Sequence, residues 1–255
     1  DYVEWSDTNG AATPNGAFLF GFGGADTLVG TDDNDYLFGG TGGDQLFGGA
    51  GDDFFGLGSS IDGLNDSWGE NRVVTGAGSD IVDFTNVQSG YSWLDYLYAD
   101  WFNTYRSAGI VATINGETGV GSVDGGVNGT DTYLSVNNAL AGDQGIGIHG
   151  TLHDDTFNFT VQSGQWAAAS GDAGDDTYNI TLNGGVFRLN LNHADAGATI
   201  NLDLGQITQD GFGGSGTVNV TGSGLFELRT TNHSDNVTGS DRDESFILRA
   251  GNDTL

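Results

Sequence analysis

Between Leu19 and Val82 the chain places one large apolar residue every nine positions: Leu28, Leu37, Leu46, Phe55, Leu64, Val73 and Val82 follow Leu19 in strict phase. Between the three-residue segments centred on these positions stand mostly glycine and small polar residues. Three residues centred on each apolar position suit a minimal strand with one side chain turned inward, and the glycine clusters between them read as turns. This predicts stacked rungs whose central side chains form a buried column. Farther along, strict alternation takes over at Tyr178, Ile180 and Leu182, at Leu189 and Leu191, at Ile200, Leu202 and Leu204, and at Val218 and Val220, with Asn and Thr on the other face. Longer solenoid strands are expected there. One stretch breaks the pattern. In SWLDYLYADWFNTYR, residues 92–106, the residues Trp93, Leu94, Leu97, Tyr98, Trp101, Phe102 and Tyr105 recur at helical spacing, and Ser92 with Asp95 forms a capping box. An inserted amphipathic helix is predicted over 92–106, packing on the roll or docking a partner.

An Asp stands two positions before each apolar residue of the clearest block, at 26, 35, 44 and 53. The four units are GFGGADTLV, GTDDNDYLF, GGTGGDQLF and GGAGDDFFG. Glycines permit tight turns that expose carbonyl oxygens, and Asp adds a hard carboxylate; Ca²⁺ selects that oxygen chemistry. The units match the nonapeptide G-G-x-G-x-D-x-U-x, so the chain resembles the RTX family of hemolysin-type calcium-binding repeat proteins. The resemblance implies an all-β fold, a right-handed parallel β-roll or β-solenoid with two units per turn. It also implies Ca²⁺ between the turns of units n and n+2, so that Asp26 faces Asp44 and Asp35 faces Asp53. Gly39, Gly42, Gly48 and Gly51 would line the same turns. A secreted or cell-surface bacterial protein exported by type I secretion is the setting that the resemblance implies.

The phase extends past this block. Ala17 stands where the Asp of an upstream unit would be, which predicts a first rung without a ligand. Downstream, Asp62, Asn71 and Asp80 keep the count. The units around Asp62 and Asn71 lose most glycines and read as a loop of preserved length, whereas the unit at Asp80 is a credible metal position. Asp235, Glu244 and Asp253 again stand nine apart, Glu244 departing from the pattern through its longer side chain. Isolated matches occur at Asp155 and Asp176, whose separation of 21 residues suggests a bulged turn. The metal residues expected beyond the first block are therefore Asp80, Asp155, Asp176, Asp235 and Asp253.

A longer repeat is also present. AGIVATIN at 108–115 recurs as AGATINLDL at 196–204, and GTLHDDTF at 150–157 aligns with GSDRDESF at 239–246. The organisation expected is a lead-in over 1–20, the nonapeptide roll over 21–83, the aromatic insertion over 84–107, and two related modules over 108–190 and 191–255. The second module stops within a unit, as a fragment of a longer chain would.

Composition sharpens the functional reading. Among 255 residues there are 35 Asp and Glu against six Arg and no Lys, for a formal charge of −29. Thirty of the acids are Asp, the bias of turn-bound carboxylates. Such charge opposes compaction and is relieved by divalent cations. Six Arg cannot form a nucleic-acid footprint, no apolar run approaches 18 residues, and the absence of Cys excludes a disulfide framework. There is no HExxH, G-x-S-x-G or P-loop. His149, His153, His193 and His233 show no metal-ligand spacing and read as turn residues. The expectation is a non-enzymatic, structural or adhesive calcium-binding region, with other copies of itself or a surface partner as binding partners. The competing expectation is an accessory domain of a secreted enzyme whose catalytic part lies outside this chain.

Overall fold

The computed structural model describes residues 2–4, 16–58, 70–87, 90–97, 106–142 and 144–255. It is nearly all β, with 52% of residues in strands and 4% helical. In chain order the first strands are β1 (Tyr2–Glu4), β2 (Phe18–Phe20), β3 (Thr27–Val29), β4 (Tyr36–Phe38), β5 (Gln45–Ala50), β6 (Phe54–Gly56), β7 (Glu70–Ala77), β8 (Ile81–Asp83) and β9 (Tyr91–Asp95). β1 to β7 each pair in parallel with the strand two positions on, so even and odd strands form two separate ranks.

The registers explain the nine-residue period. In one rank Leu19, Leu37, Phe55 and Val82 are stacked in direct register, and in the other Leu28, Leu46, Val73 and Leu94. All eight side chains are buried in one core. Every three-residue strand contributes a single inward side chain, and only stacking turns those single residues into a continuous core. At the surface, Phe18 stacks on Tyr36 and Phe20 on Phe38, with ring centroids 4.6 and 5.0 Å apart. The rung begun by Ala17 and Leu19 thus pairs as a normal rung.

The predicted helix at 92–106 is corrected at its start. Tyr91–Asp95 is strand, hydrogen-bonded between β7 on one side and a later strand on the other. The reason lies in a competing period of two: Ser92, Leu94 and Tyr96 are buried, while Trp93 lies between them on the outer face over Gly147. Aromatic spacing was compatible with both periods, and two ready edges decided for strand. The rest of that prediction, residues 98–105, lies outside the described residues, as do Asp62 and Leu64.

The later strands are β10 (Val111–Asn115), β11 (Val120–Asp124), β12 (Thr130–Leu134), β13 (Gly145–His149), β14 (Thr156–Gln162), β15 (Trp166–Ser170), β16 (Asp176–Asn190), β17 (Thr199–Asn201), β18 (Gln206–Gln209), β19 (Gly216–Arg229), β20 (Asn236–Thr238) and β21 (Glu244–Ile247). Here the two-rank scheme is interrupted twice in the same way. β10, β11 and β12 form an antiparallel meander in which β12 pairs with β8 and β10 with β14. β17, β18 and the first half of β19 do the same between β16 and β20. The repeat seen between 108–115 and 196–204 is this meander.

The other rank runs without interruption through Leu94, Ile148, Ala169, Leu189, Leu228 and Phe246. The first meander adds two strands to one rank only, and the short helix α1 (Val136–Leu140) packs against β10, β11 and β13 beside it, burying Val136, Ala139 and Leu140. Within the meander Gly121 separates Tyr133 from Ile114; a Cβ there would lie 2.7 Å from Ile114 Cδ1. β16 and β19 are long because each serves both ranks, and their pairing skips register between Asn183 and Val186. The 21-residue step from Asp155 to Asp176 is accommodated by the seven-residue β14 and five-residue β15, and the register of β14 against β16 shifts at Gln162, which faces both Asn183 and Gly184.

The column model makes a direct prediction. Leu46→Ala, at a fully buried site between Leu28 and Val73, is expected to cost about 2–5 kcal/mol, read as a lowered urea midpoint in saturating calcium.

Candidate metal centre

The Asp residues of the period form a ladder between rungs. The Asp26 amide donates to Oδ1 of Asp44 (3.0 Å), and the Asp44 amide to Oδ1 of Asn71 (3.0 Å). On the other edge the Asp35 amide donates to Asp53, Asp53 to Asp80 and Asp80 to Asp131, at 2.8, 2.8 and 3.2 Å. Ala17 heads that edge by donating to Asp35. Each Asp carbonyl meanwhile accepts from the next rung, as Gln45 N–H does to Asp26 and Phe54 N–H to Asp35. The structure thus brings together the pairs 26/44 and 35/53. Because the following steps span 27 residues, one nine-residue unit is excluded from the stack, and Asn71 fills the Asp position with a neutral acceptor.

The three glycines of a unit have distinct causes. At the first, the Asp carboxylate folds back over the backbone, so a Cβ on Gly39 would stand 2.5 Å from Asp44 Oδ2, and one on Gly48 would overlap Asp53 Oδ2. The second and fourth positions take positive φ, as in Gly40 (95°) and Gly42 (122°), and a Cβ there would strike the carbonyls of Phe22 and Gly24 in the turn below. Phe22 itself adopts φ 70° at the second position. These turns therefore lie carbonyl against backbone, with Gly51 and Gly78 repeating the arrangement of Gly42.

A second class of turn replaces the glycine by a hydroxyl. Thr31 donates through its amide and its Oγ1 to the Asp35 carboxylate, and Thr151 and Thr231 do the same for Asp155 and Asp235. Ser240 does so for Glu244, whose carboxylate turns to its own loop and makes no bond to another rung among those described. The spacing Thr-x-x-x-Asp was a readable signal for these turns. It also corrects the long repeat: GTLHDDTF at 150–157 is matched structurally by TTNHSDNV at 230–237, not by GSDRDESF at 239–246. Ile110 donates to Asp155 and Ala198 to Asp235, which fixes the equivalence. The Asp155 amide continues to Asp176 (2.9 Å) and the Asp235 amide to Asp253 (3.0 Å), so these four predicted residues also form two rung-to-rung pairs.

The electrostatics call for a cation. Asp26, Asp35, Asp44, Asp53 and Asp80 are at most 2% exposed. Among the described residues the buried Oδ2 atoms of Asp53 and Asp80 accept no hydrogen bond. Burial pushes the Asp44 carboxyl up to about 6, Asp53 up to about 8 and Asp80 up to about 9, and neighbouring carboxylates add to the rise: Asp26 for Asp44, Asp35 for Asp53 and Asp131 for Asp80. A buried anion without a partner is costly. Ca²⁺ fits this environment: it takes six to eight oxygens, carbonyl and carboxylate alike. Among the described residues no three acidic or histidine side chains form a ready cage, so turn carbonyls would have to complete the donor set of a bound cation. Ca²⁺, when bound, would supply the positive charge; Asp Oδ1 keeps the rungs in register while Oδ2 faces the turn.

Histidines separate from this system. His149 ends β13 rather than sitting in a turn; its ring lies tilted against Trp93 (4.7 Å) and edge-on to His193 (6.1 Å). Burial lowers its basicity. With the Arg72–Asp95 ion pair at 2.8 Å these residues line a cavity of about 430 Å³.

The raised carboxyls give the calcium-free chain a defined pH response. In the unfolded chain they ionise near 3.8, in the folded chain near 6 to 9, so the folded state holds more protons in between and stability falls as pH rises. The melting temperature in chelator is expected to be highest at or below about pH 4, where these carboxyls are protonated in both states, and to drop progressively toward pH 9. Excess calcium should flatten or reverse that slope, and differential scanning calorimetry at fixed ionic strength checks both.

Comparison with known proteins agrees with the geometry. No curated protein matches the chain. A family model, however, matches at residues 20–55, the block in which four Asp residues at nine-residue intervals take part in the ladder. Residues 20–55 match four copies of the RTX calcium-binding nonapeptide repeat.

Proposed function

We propose that this chain is a calcium-folded structural region of a secreted or surface-exposed bacterial protein, wound as a right-handed solenoid and without catalytic activity of its own. The observation that carries this reading is the ladder of buried carboxylates on a chain of net charge −29. Without divalent cations the rungs repel; with them each turn is neutralised and the stack closes. A site held at about 100 times its dissociation constant contributes roughly 2.7 kcal/mol through linkage, so a few sites decide between folded and unfolded. Extracellular calcium modules bind at about 10⁻⁴ to 10⁻³ M, far above cytosolic free calcium. The chain is then loose during export by type I secretion and rigid outside, where it acts as a spacer or adhesive element. Right-handed winding is supported by the strong preference of parallel crossovers for that hand. No helix among the described residues is long and apolar enough to cross a membrane.

Far-UV circular dichroism from chelator to about 10 mM calcium tests this. A cooperative gain of β signal is expected. Asp44→Asn should keep the rung bond, as Asn71 does in the same ladder, yet shift the calcium midpoint several-fold upward; Asp44→Ala should shift it further by losing both. A fully folded spectrum in chelator, unmoved by calcium, would sink the proposal.

A further inference from the structure

The two meanders pose the same structural problem and solve it with different chemistry. In each, the hairpin loop leading into the inner meander strand lies on a glycine turn of the preceding rung. In the first module the loop 125–129, closed by the Gly125 amide donating to the Gly129 carbonyl (2.9 Å), lies on the turn that ends at Asp80; a Cβ on Gly129 would overlap the Gly78 carbonyl. In the second, the loop 210–214 is closed likewise by Asp210 N–H to Gly214 carbonyl (3.1 Å) and lies on the turn that ends at Asp176; a Cβ on Gly214 would overlap the Gly174 carbonyl. Gly125 and Asp210 therefore occupy the same position, as do Gly78 and Gly174, and Asp80 and Asp176.

A guanidinium fills the first junction. Arg106, only 4% exposed, donates through Nη2 to the Gly76 carbonyl (2.6 Å) and to Thr75 Oγ1 (3.3 Å), and lies 4.8 Å over the Tyr96 ring. Asp80 and Asp131 attract it electrostatically. Its Nη1 stands 3.0 Å from the point where a Cβ on Gly125 would be. A side chain at that loop position thus aims directly at the cation.

In the second junction that side chain exists and the arginine does not. Residue 194, which follows Arg106 by the 88-residue offset of the meander repeat, is Ala194, and a Cβ on Gly211 would lie 2.8 Å from it, so it borders the same loop. Asp210, 3% exposed, points into the space through its carboxylate. Oδ1 accepts from the amides of Phe212, Gly213 and Gly214, while the buried Oδ2 has no hydrogen-bond partner among the described residues. A Cβ on Gly214 would be 2.8 Å from that Oδ2 and would overlap the Gly174 carbonyl oxygen, so these two oxygens converge. Asp176 and Asp172 stand near enough to repel Asp210, and Asp172 holds the left-handed conformation, φ 62°, at the place of Gly76.

From this comparison we infer that the junction between the 171–176 turn and the 210–214 loop is a divalent-cation site, held by Asp176, Asp210 and the Gly174 carbonyl with Asp172 beside them, which takes Ca²⁺ where the first module uses its own Arg106. Asp210 belongs to no nonapeptide unit, so the site joins repeat and meander. The inference rests on the calcium reading of the chain but predicts something separate from it.

Calcium stoichiometry by equilibrium dialysis on the whole chain, with circular dichroism in calcium as the folding control, tests it. Asp210→Asn keeps the acceptor for the three loop amides and removes the charge. Ala194→Arg brings in the guanidinium of the first module. Each variant is expected to fold in calcium and to bind one ion fewer than the parent chain, and Ala194→Arg should also melt higher than the parent in chelator. Parental stoichiometry in both variants overturns the inference while leaving the calcium reading intact; a parent chain that binds no calcium removes the reading itself. If Asp210→Asn does not fold, Ala194→Arg decides alone, and an Ala194→Arg chain that does not fold in calcium also overturns the inference, because the two junctions are then not equivalent.

Discussion

Everything in this fold depends on a carboxylate placed between one rung and the next. In the ladder the Asp Oδ1 accepts the amide of the equivalent residue one rung earlier, and the Asp carbonyl receives an amide from the following rung. A hydrogen bond to a charged acceptor contributes more than a neutral one, about 1.5–3 kcal/mol, but only if the charge itself is compensated. Compensation from within is scarce, with six Arg to set against 35 acids. On the calcium reading proposed above, the same residue that fixes the register would make the stack dependent on an external cation, and folding and metal binding would become one equilibrium.

The ladder also explains how so irregular a chain stays in phase. Successive ladder bonds span 18, 21, 27 and 51 residues, because what must be equivalent is the Asp and the strand after it, not the length between. Additional residues are put into longer strands, into an excluded unit, or into an antiparallel meander added to one rank. Each addition preserves the inward column, since the apolar positions that meet across rungs remain Leu, Ile, Val, Phe, Tyr or Ala, with Gly121 relieving a crowded crossing.

At the junctions the same requirement is met by different means. Where the nine-residue phase first breaks, Arg106 is buried against Gly76 and faces Asp80 and Asp131, an internal cation at the end of the run. The Thr-capped turns are a third answer: two donors from Thr31, Thr151 or Thr231 satisfy the carboxylate within its own loop. Glycine turns leave Oδ2 facing the turn, whereas hydroxyl turns engage the carboxylate within the loop.

By itself the sequence determined the rungs. A period of nine with one inward residue per unit admits no other regular structure, and the glycines and Asp of each unit mark a turn whose oxygens suit Ca²⁺; the pairs 26/44 and 35/53 followed from counting. Tertiary structure alone decided what counting could not reach. Residues 92–95 became strand because β7 and β13 offered edges on both sides, a long-range fact invisible to a local helical spacing. The meanders were visible as a repeat, yet their insertion between distant strands, and the shift of the 150–157 equivalent to 230–237, depend on which strand a returning chain meets. Asp131, Asp210 and Arg106 carry no motif, and their roles exist only because the stack brings a hairpin loop onto a glycine turn. Period and turn chemistry are local and are written in adjacent residues; partners in a buried charge network are chosen by packing, across separations that the chain does not record.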